Sequence, residues 1–167
     1  DGEGLKRLVT DGQYEAARAA TLNAHYTSPT VSNGIYEAVE RLGFRYGRVL
    51  EPALGIGHFF GLMPEQMSAR SRLTGIEVDP LTARIALKLY PTADIRAQGF
   101  EAANLLDGSF DLAISNVPFG DYKLHDPQFN DRNFLIHDFF FAKAMEKVRA
   151  NGLVVFITSK GTLDKID

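Results

Sequence analysis

Strand-like runs alternate with helical segments along most of the chain, and this alternation constrains the fold more than any other feature. Five short apolar runs are separated by segments with helical spacing, such as LTARIALKLY and FLIHDFFFAKAMEKVRA. The strand-like runs lie within GRVLEPA, SRLTGIEVDP, ADIRAQGF, FDLAISN and NGLVVFITS. Repeated strand–helix units predict an α/β domain with a mainly parallel sheet and flanking helices. Right-handed crossovers then place ligand sites at the carboxyl ends of the strands.

The chain is expected to form one core domain preceded by a helical segment. Its 167 residues, 45% of them hydrophobic, are enough for a sizeable core, which we place at 45–167, after a helical segment at 1–44. Within that segment, Ser28 is predicted to cap a helix that begins at Pro29. Four residues at helical spacing are expected to form the apolar face of this helix: Val31, Ile35, Val39 and Leu42. Because the chain starts without Met and stops just after a strand-like run, we expect a fragment of a longer protein, truncated after the fifth strand.

Composition excludes several classes of function. The absence of cysteine excludes disulfides and thiolate metal sites and fits a cytoplasmic protein. The four histidines do not have the spacing of metal ligands. No run approaches the ~18 apolar residues of a membrane span, so no membrane partner is expected. The net charge of −3 is unlike the basic face of a duplex DNA binder, so any DNA contact is expected to rely on regions outside this chain.

A glycine-containing turn follows the first strand. Gly55 and Gly57 in EPALGIGHF permit positive φ and close approach of a ligand. Glu77 ends the second strand 20 positions after Gly57, where a carboxylate accepts both ribose hydroxyls of a nucleoside. Asp79 is the alternative for that role, or it caps the next helix. The full G-x-G-x-x-G pattern is absent because the next glycine is Gly61, which favours an adenosine-type ligand over a pyrophosphate.

Two aromatic residues are expected near the same edge of the sheet. Phe100 ends the third predicted strand, where its ring either stacks on an adenine or belongs to the core. In SNVPFG, Asn116 follows the fourth strand and Phe119 follows Pro118. The Asn116 side-chain oxygen and the Val117 carbonyl are two acceptors beside an aromatic plate, an arrangement that suits a planar substrate with an exocyclic NH₂ group. When these two oxygens accept hydrogen bonds from both amine N–H groups, the nitrogen lone pair is directed at an electrophilic methyl group, while stacking holds the ring.

Together, EPALGIGHF, GIEVD, SNVPFG and HYTSP resemble the ordered motifs of S-adenosylmethionine-dependent adenine-N6 DNA methyltransferases, which have a Rossmann-like class I methyltransferase fold. NAHYTSP, DPQFNDRNFLIHDFFFAKAMEKVR and ITSKGTLDK resemble such domains in large helicase-associated proteins of phages, plasmids and mobile elements. The resemblance covers residues of about 20 to 165. It implies restriction-modification functions, a covalently linked helicase or target-recognition region, and DNA as partner.

The resemblance also implies roles for individual residues. The residues implied to contact the methionine end of the cofactor are Tyr26, Thr27 and Pro29. Those implied to form the main pocket are Glu51, Pro52, Ala53, Gly55 and Gly57. Glu77 would bind the ribose, and Phe100 would lie beside the adenine. The catalytic turn comprises Asn116, Val117, Pro118 and Phe119, and it acts on an adenine flipped out of the duplex.

Two positions depart from the family pattern. Val117 stands where the family has proline, and Gly99 stands where it often has an aspartate that binds the cofactor adenine amine, unless Glu101 replaces it. We therefore expect cofactor binding but weak turnover from this chain alone. The alternatives are a protein glutamine N-methyltransferase and a non-catalytic cofactor-binding or structural module of a helicase-like protein. A nicotinamide dehydrogenase is the least favoured.

Two further segments leave alternatives open. The loop DYKLHDPQFNDRN, after the catalytic turn, is either a lid beside the site or a plain solvated connection. The three phenylalanines Phe139–Phe141 are expected to pack mainly in the core, with contact to other domains as the alternative.

Overall fold

Five strands form one sheet in the computed structural model, which describes residues 27–118, 120 and 122–158. The strands are β1 (Arg48–Glu51), β2 (Arg72–Glu77), β3 (Asp94–Ala97), β4 (Phe110–Asn116) and β5 (Val148–Ile157). They lie in the order β3-β2-β1-β4-β5, and all four pairings are parallel. This topology confirms the predicted α/β fold, and it puts β1 and β4, which precede the two principal motifs, side by side at the centre. The helices expected before residue 27 lie outside the described residues.

In the described residues, one helix precedes β1, and four helices and two short 3₁₀ turns connect the strands. The helices are α1 (Pro29–Arg41), α2 (His58–Leu62), α3 (Glu65–Ser68), α4 (Pro80–Leu89) and α5 (Ile136–Lys147), and the 3₁₀ turns are Phe100–Ala102 and Asn130–Arg132. The glycine turn does open a helix, as predicted. That helix, α2, has only five residues, so it contributes little helix dipole to a ligand site.

The amino ends of two helices are capped as the sequence predicts. The Ser28 hydroxyl accepts a hydrogen bond from the Val31 amide at 3.3 Å, with Pro29 in the first turn of α1. Asp79 accepts from the Thr82 amide at 2.8 Å at the start of α4. The second contact confirms the helix-capping alternative for Asp79.

The predicted apolar face of α1 is only partly confirmed: Val39 is buried and Ile35 packs against the core, but the other two predicted residues are not buried. Val31 and Leu42 are 48% and 67% exposed, whereas Tyr36 and Val39 are buried. The buried stripe is rotated from the expected one because the Tyr36 hydroxyl reaches inward and donates to the Phe59 carbonyl of α2 at 2.6 Å. A residue with a polar tip thus occupies the centre of the packed face, which a count of apolar residues alone does not find.

Apolar side chains cover both faces of the sheet. Val49 and Leu50 are neighbours on β1 but belong to different core clusters, as alternation along a strand requires. One cluster includes side chains of α1, α2 and α4, and the other includes those of α5. Phe139 and Phe140 are buried in the second cluster, and Phe141 packs against Phe156 at 4.9 Å between ring centroids, which confirms the core prediction for this segment.

The third strand ends earlier than predicted. β3 stops at Ala97, whose neighbour Gln98 donates its amide to the Arg96 carbonyl at 3.1 Å in a tight turn. Phe100 therefore does not end the strand but begins the following 3₁₀ turn. The turn breaks the ladder because Gln98 uses its amide locally instead of pairing with β2.

Candidate functional site

Glu77 joins the ends of β1 and β2. Its carboxylate accepts hydrogen bonds from the Gly55 amide at 2.7 Å and the Asp79 amide at 2.8 Å. Burial raises the pKa of Glu77, while the amide hydrogen bonds of Asp79 and Gly55 oppose that shift. Each oxygen has one amide donor and retains acceptor capacity for a further donor, such as a hydroxyl. The structure thus brings together two of the predicted residues, Gly55 and Glu77.

The two glycines of the turn have positive φ, +57° at Gly55 and +83° at Gly57, as the sequence predicts. Their surroundings differ. A Cβ atom at Gly55 would meet only open space, whereas one at Gly57 would overlap the ring of Tyr90. The Tyr90 hydroxyl donates to the Gly57 carbonyl at 2.6 Å and would lie 2.7 Å from a Cβ atom at Gly61. Gly57 and Gly61 therefore make room for Tyr90, while the Cβ side of Gly55 is open to a ligand.

Tyr90 was not among the residues predicted from the sequence. It lies directly after α4, 33 positions from Gly57, and no motif contains it. The signal available in the sequence was indirect: two closely spaced glycines imply that something packs on them, without saying what.

Glu51, the last residue of β1, is buried without a full set of partners. Its side chain is 2% exposed, and its Oε2 atom has no hydrogen-bond partner in the described part of the chain. Burial raises the pKa of Glu51 well above its usual range, and the negative charge of Glu77 adds to this shift. Buried polar atoms are normally hydrogen-bonded, so an unpartnered carboxylate oxygen at this edge indicates a ligand with a positive or donating group.

Burial and the charge of Glu51 raise the pKa of two nearby tyrosines. Burial raises the pKa of the Tyr36 hydroxyl, and Glu51 and Tyr90 raise it further. Burial also raises the pKa of Tyr90, again with Glu51 contributing. Both hydroxyls thus stay protonated near neutral pH and donate to backbone carbonyls. Any negative charge near the end of β1 therefore comes from carboxyl groups.

The end of β4 lies between the glycine turn and β5. Asn116 is half-buried and pairs in register with Ile157. The Ser115 hydroxyl donates to the Ala53 carbonyl at 3.3 Å, which fastens the end of β4 to the segment after β1. The Asn116 side chain is therefore held at the same edge of the sheet as Glu51.

The contacts of Val117 give a structural reason for its presence where the resembled family has proline. Its side chain is buried in the core, and its amide donates to the Ile157 carbonyl at 3.1 Å, a hydrogen bond that proline cannot make. This bond fixes the turn in place of the ring of a proline. Pro118 is half-buried, and Phe119 lies outside the described residues.

The ring of Phe100 belongs to the core. It is 1% exposed and contacts Phe139 and Phe140, with ring centroids 6.0 Å and 5.1 Å apart. Of the two alternatives for Phe100, stacking on an adenine or packing in the core, the structure shows the second. Because the ring is buried, its face is not accessible to a ligand in this structure. Next to it, a Cβ atom at Gly99 would overlap the carboxylate of Glu101, which folds back over the glycine. The carboxylate of Glu101 thus occupies the space that the side chain of an aspartate at position 99 would enter.

The remaining predicted residues are placed as follows. Thr27 is half-buried, Pro29 is exposed in the first turn of α1, Pro52 is buried, Ala53 is half-buried, and Tyr26 lies outside the described residues. Within the described ranges, no group of His, Asp or Glu side chains is arranged to hold a metal ion. None of the helices there has the length and apolar character needed to cross a membrane.

The chain is similar to a curated protein at low identity. No family model matches the chain. The defense against restriction protein B of Escherichia phage P1 is 24% identical over 149 residues, which cover 86% of this chain. The matched region is 6% of that protein, so the chain corresponds to a small part of its relative.

Solved structures match the fold more completely. A chain from Listeria monocytogenes, assigned as a class I S-adenosylmethionine-dependent methyltransferase, has a TM-score of 0.71 at 19% identity, covering 86% of this chain and 49% of that one. A modification subunit assigned to a type I restriction enzyme from Vibrio vulnificus has a TM-score of 0.60 at 18% identity, covering 93% and 39%. An RNA methyltransferase candidate from Pyrococcus horikoshii has a TM-score of 0.56 at 16% identity, covering 84% and 67%.

The listerial and vibrio chains extend well beyond the matched region, since this chain spans half or less of their length. The likeness to these three structures is one of fold, which in this chain is a parallel sheet of strand order β3-β2-β1-β4-β5 with helices on its faces. The chain has the Rossmann-like fold of the class I S-adenosylmethionine-dependent methyltransferases.

Proposed function

We propose that the chain binds S-adenosylmethionine at the carboxyl edge of β1 and β2. The observation that carries this proposal is the buried carboxylate of Glu51, whose Oε2 atom has no partner in the described residues. It lies on the strand that leads to Gly55, where the backbone is open to a ligand, and Glu77 lies at the end of the neighbouring strand. A cationic amino acid joined to a ribose matches an unpartnered carboxylate and a second carboxylate with free acceptor capacity.

Other residues complete the proposed site. Tyr90 and Gly57 hold the glycine turn in shape, and the backbone of Pro52 and Ala53 continues it. The Glu101 carboxylate over Gly99 is the acceptor for the adenine amine of the cofactor, in place of the family's aspartate. Tyr26, Thr27 and Pro29 keep their proposed place at the methionine end. Phe100 supports the adenine side from the core rather than by stacking.

The proposed substrate is the N6 amine of an adenine in DNA. Support comes from the SNVPFG segment at the end of β4, next to β1, and from the names of two related proteins. One of these is a modification subunit of a type I restriction enzyme and the other a defense against restriction protein, both from the context of restriction. The DNA contacts themselves are proposed to involve a target-recognition or helicase region joined to this domain.

The chain's own residues act by positioning. The cofactor supplies an electrophilic methyl group when bound. The Asn116 side-chain oxygen and the Val117 carbonyl accept hydrogen bonds from the two amine N–H groups, which directs the nitrogen lone pair away from the ring plane. Phe119 stacks on the base and excludes water from one of its faces, an interaction worth roughly 1–3 kcal/mol. Preorganised acceptors of this kind lower the barrier without a strong acid or base.

Calorimetric titration of S-adenosylmethionine into the chain tests the cofactor site. We expect saturable binding that is lost or weakened at least about tenfold in Glu77→Ala and Glu51→Gln, because each change removes one acceptor of the ligand. Glu37→Gln, an exposed site on α1, is the matched control and should bind like the parent chain. Equal binding by all four proteins would contradict the proposed location.

Transfer of a labelled methyl group tests the substrate. The full-length protein is expected to label adenine-containing DNA, and Asn116→Ala is expected to abolish labelling while leaving cofactor binding intact. Labelling of a protein glutamine instead of DNA would favour the protein N-methyltransferase. Unchanged cellular function of the parent protein with Asn116→Ala would favour the non-catalytic module.

A further inference from the structure

A buried ion pair connects two segments that belong to different parts of the proposed site. Lys143 of α5 is 4% exposed, and its Nζ atom donates to the Asp126 carboxylate and to the Glu101 carbonyl, both at 2.9 Å. Asp126 follows β4 and the catalytic turn, whereas Glu101 follows β3. One ammonium group therefore holds a loop on the substrate side and a turn on the cofactor side.

Asp126 organises the loop that it anchors. Its Oδ1 atom accepts from the Gln128 amide at 3.0 Å, its carbonyl accepts from the Phe129 and Asn130 amides at 2.9 Å, and its own amide donates to Asn130 Oδ1 at 2.9 Å. The loop is closed where the Ile136 amide donates to the Tyr122 carbonyl at 3.0 Å. We refer to residues 122–135 as the substrate-side loop. The hydrogen bonds of Asp126 organise this loop around one buried carboxylate.

The other partner of Lys143 lies in the turn formed by residues 99–103, which we call the adenine-side turn. The Ala102 amide donates to the Gly99 carbonyl at 3.1 Å, and the Ala103 amide to the Phe100 carbonyl at 3.2 Å. The Lys143 ammonium also lies 5.3 Å from the centroid of the Phe100 ring. The Glu101 carbonyl that binds Lys143 thus belongs to the residue whose carboxylate covers Gly99.

We propose that Lys143 is a positioning residue that couples the adenine-side turn to the substrate-side loop. A buried ammonium requires its partners, so a shift of Asp126 away from Lys143 weakens the hold of Lys143 on Glu101, and the reverse is also true. The link to ligand binding rests on the proposed function, because it needs a cofactor at the adenine-side turn. With that cofactor bound, Glu101 is held in place and the substrate-side loop becomes more ordered.

Lys147 offers a matched control. It lies one helical turn after Lys143 on α5, is 5% exposed, and forms an ion pair with Asp107. Its ion-pair partners among the described residues, Asp107 and Glu146, belong to neither the adenine-side turn nor the substrate-side loop. Replacing either lysine by methionine removes one buried charge, but only Lys143 connects the two segments.

Hydrogen exchange in the ligand-free full chain tests the coupling directly. Asp126→Asn keeps the acceptor for the Gln128 amide but puts an NH₂ group or a neutral oxygen against the ammonium. We expect the amides of Ala102 and Ala103, on the other side of Lys143, to exchange about tenfold faster, within the usual range of coupling between sites. Lys147→Met should leave these two amides unchanged. Faster exchange confined to the substrate-side loop would show that Lys143 only anchors that loop and would overturn the proposal.

The double variant Asp126→Asn/Lys143→Met serves if the single change prevents folding, since it removes both charges and keeps the volume of the pair. Because this variant also removes the donor to the Glu101 carbonyl, its decisive readout is the response to cofactor rather than exchange in the ligand-free state. In a second arm, S-adenosylmethionine is added to each protein. It should slow exchange in the substrate-side loop of the parent chain and Lys147→Met by about tenfold, and not in the double variant. Absence of cofactor binding to the parent chain would count against the proposed function, while the ligand-free arm would still decide the coupling.

Discussion

At the scale of single residues, Glu51 shows how burial can support an assignment first made from a family resemblance. Its position at the end of β1 is visible in the sequence, but its assignment to the cofactor pocket came only from the family resemblance. The structure adds a physical reason, because the side chain is buried and one oxygen has no partner in the described residues. Burying that group lowers the free energy of unfolding of the ligand-free protein, and this effect can be measured.

Glu51→Gln is expected to stabilise the ligand-free chain at neutral pH. Burial raises the pKa of Glu51 above its unfolded value, so the folded state binds the proton more tightly. The stability that this provides is present below the usual carboxyl pKa of about 4.3 and declines as pH rises towards the raised value. The amide has no such decline. Thermal unfolding between pH 5 and 8 should show a shallower pH dependence and a midpoint a few degrees higher at pH 7, at roughly 2–4 °C per kcal/mol for a chain of this size.

A residual pH dependence is expected in both proteins because burial also raises the pKa of Glu77. Glu37→Gln, which removes an exposed carboxylate, provides the comparison. Parallel stability curves for the parent chain and Glu51→Gln would show that Glu51 ionises as easily in the folded state as in the unfolded one.

Gly57→Ala is expected to destabilise the chain by about 1–3 kcal/mol. The residue has φ +83°, which costs energy for any side chain, and a Cβ atom there would overlap the Tyr90 ring. Gly34→Ala is the opposite case, since it lies within α1 with nothing within 4 Å of the added atom. That change should stabilise by roughly 0.5–1 kcal/mol. Urea denaturation measures both, and equal effects would remove Tyr90 from the explanation of Gly57.

At the scale of elements, local signals located helices and strands well and packed faces poorly. The start of α1 was predicted from Ser28 and Pro29 because capping depends on neighbours within three residues. Its buried face was predicted only in part, with Val39 and Ile35 but without Tyr36, because Tyr36 turns inward to a carbonyl of another helix. The end of β3 was missed for a similar reason, since a single tight hydrogen bond at Gln98 ends the ladder.

Asp79→Ala tests the start of α4. We expect a loss of about 1 kcal/mol in the free energy of unfolding, because the Thr82 amide loses its acceptor. Glu77 should keep its place, since it is the backbone amide of Asp79 that donates to it. Cofactor titration should therefore be nearly unchanged while the denaturation midpoint falls. A large loss of cofactor affinity would instead restore Asp79 as a ribose ligand.

At the scale of the molecule, the charge balance sets limits on DNA binding. The net charge of −3 predicts that the chain alone binds duplex DNA no more tightly than a non-specific contact, with a Kd of roughly 10⁻⁴ to 10⁻⁶ M or weaker at physiological salt. Fluorescence anisotropy of a labelled duplex between 50 and 200 mM salt measures this. Cofactor binding should change much less over the same range. Tight, salt-resistant binding would show that the chain reads DNA without a further region.

The sequence by itself determined the α/β architecture, the parallel sheet, the helix caps, the positions of Glu77 and Asn116 at strand ends, and that of Gly55 in the turn after β1. These features depend on periodicity, on φ and on neighbours a few residues away, all of which a local pattern contains. The tertiary structure alone decided that Tyr90 fills the space beside Gly57 and that Lys143 joins Glu101 to Asp126. These contacts link residues 33, 42 and 17 positions apart, and they form because folding brings side chains together that no local pattern relates.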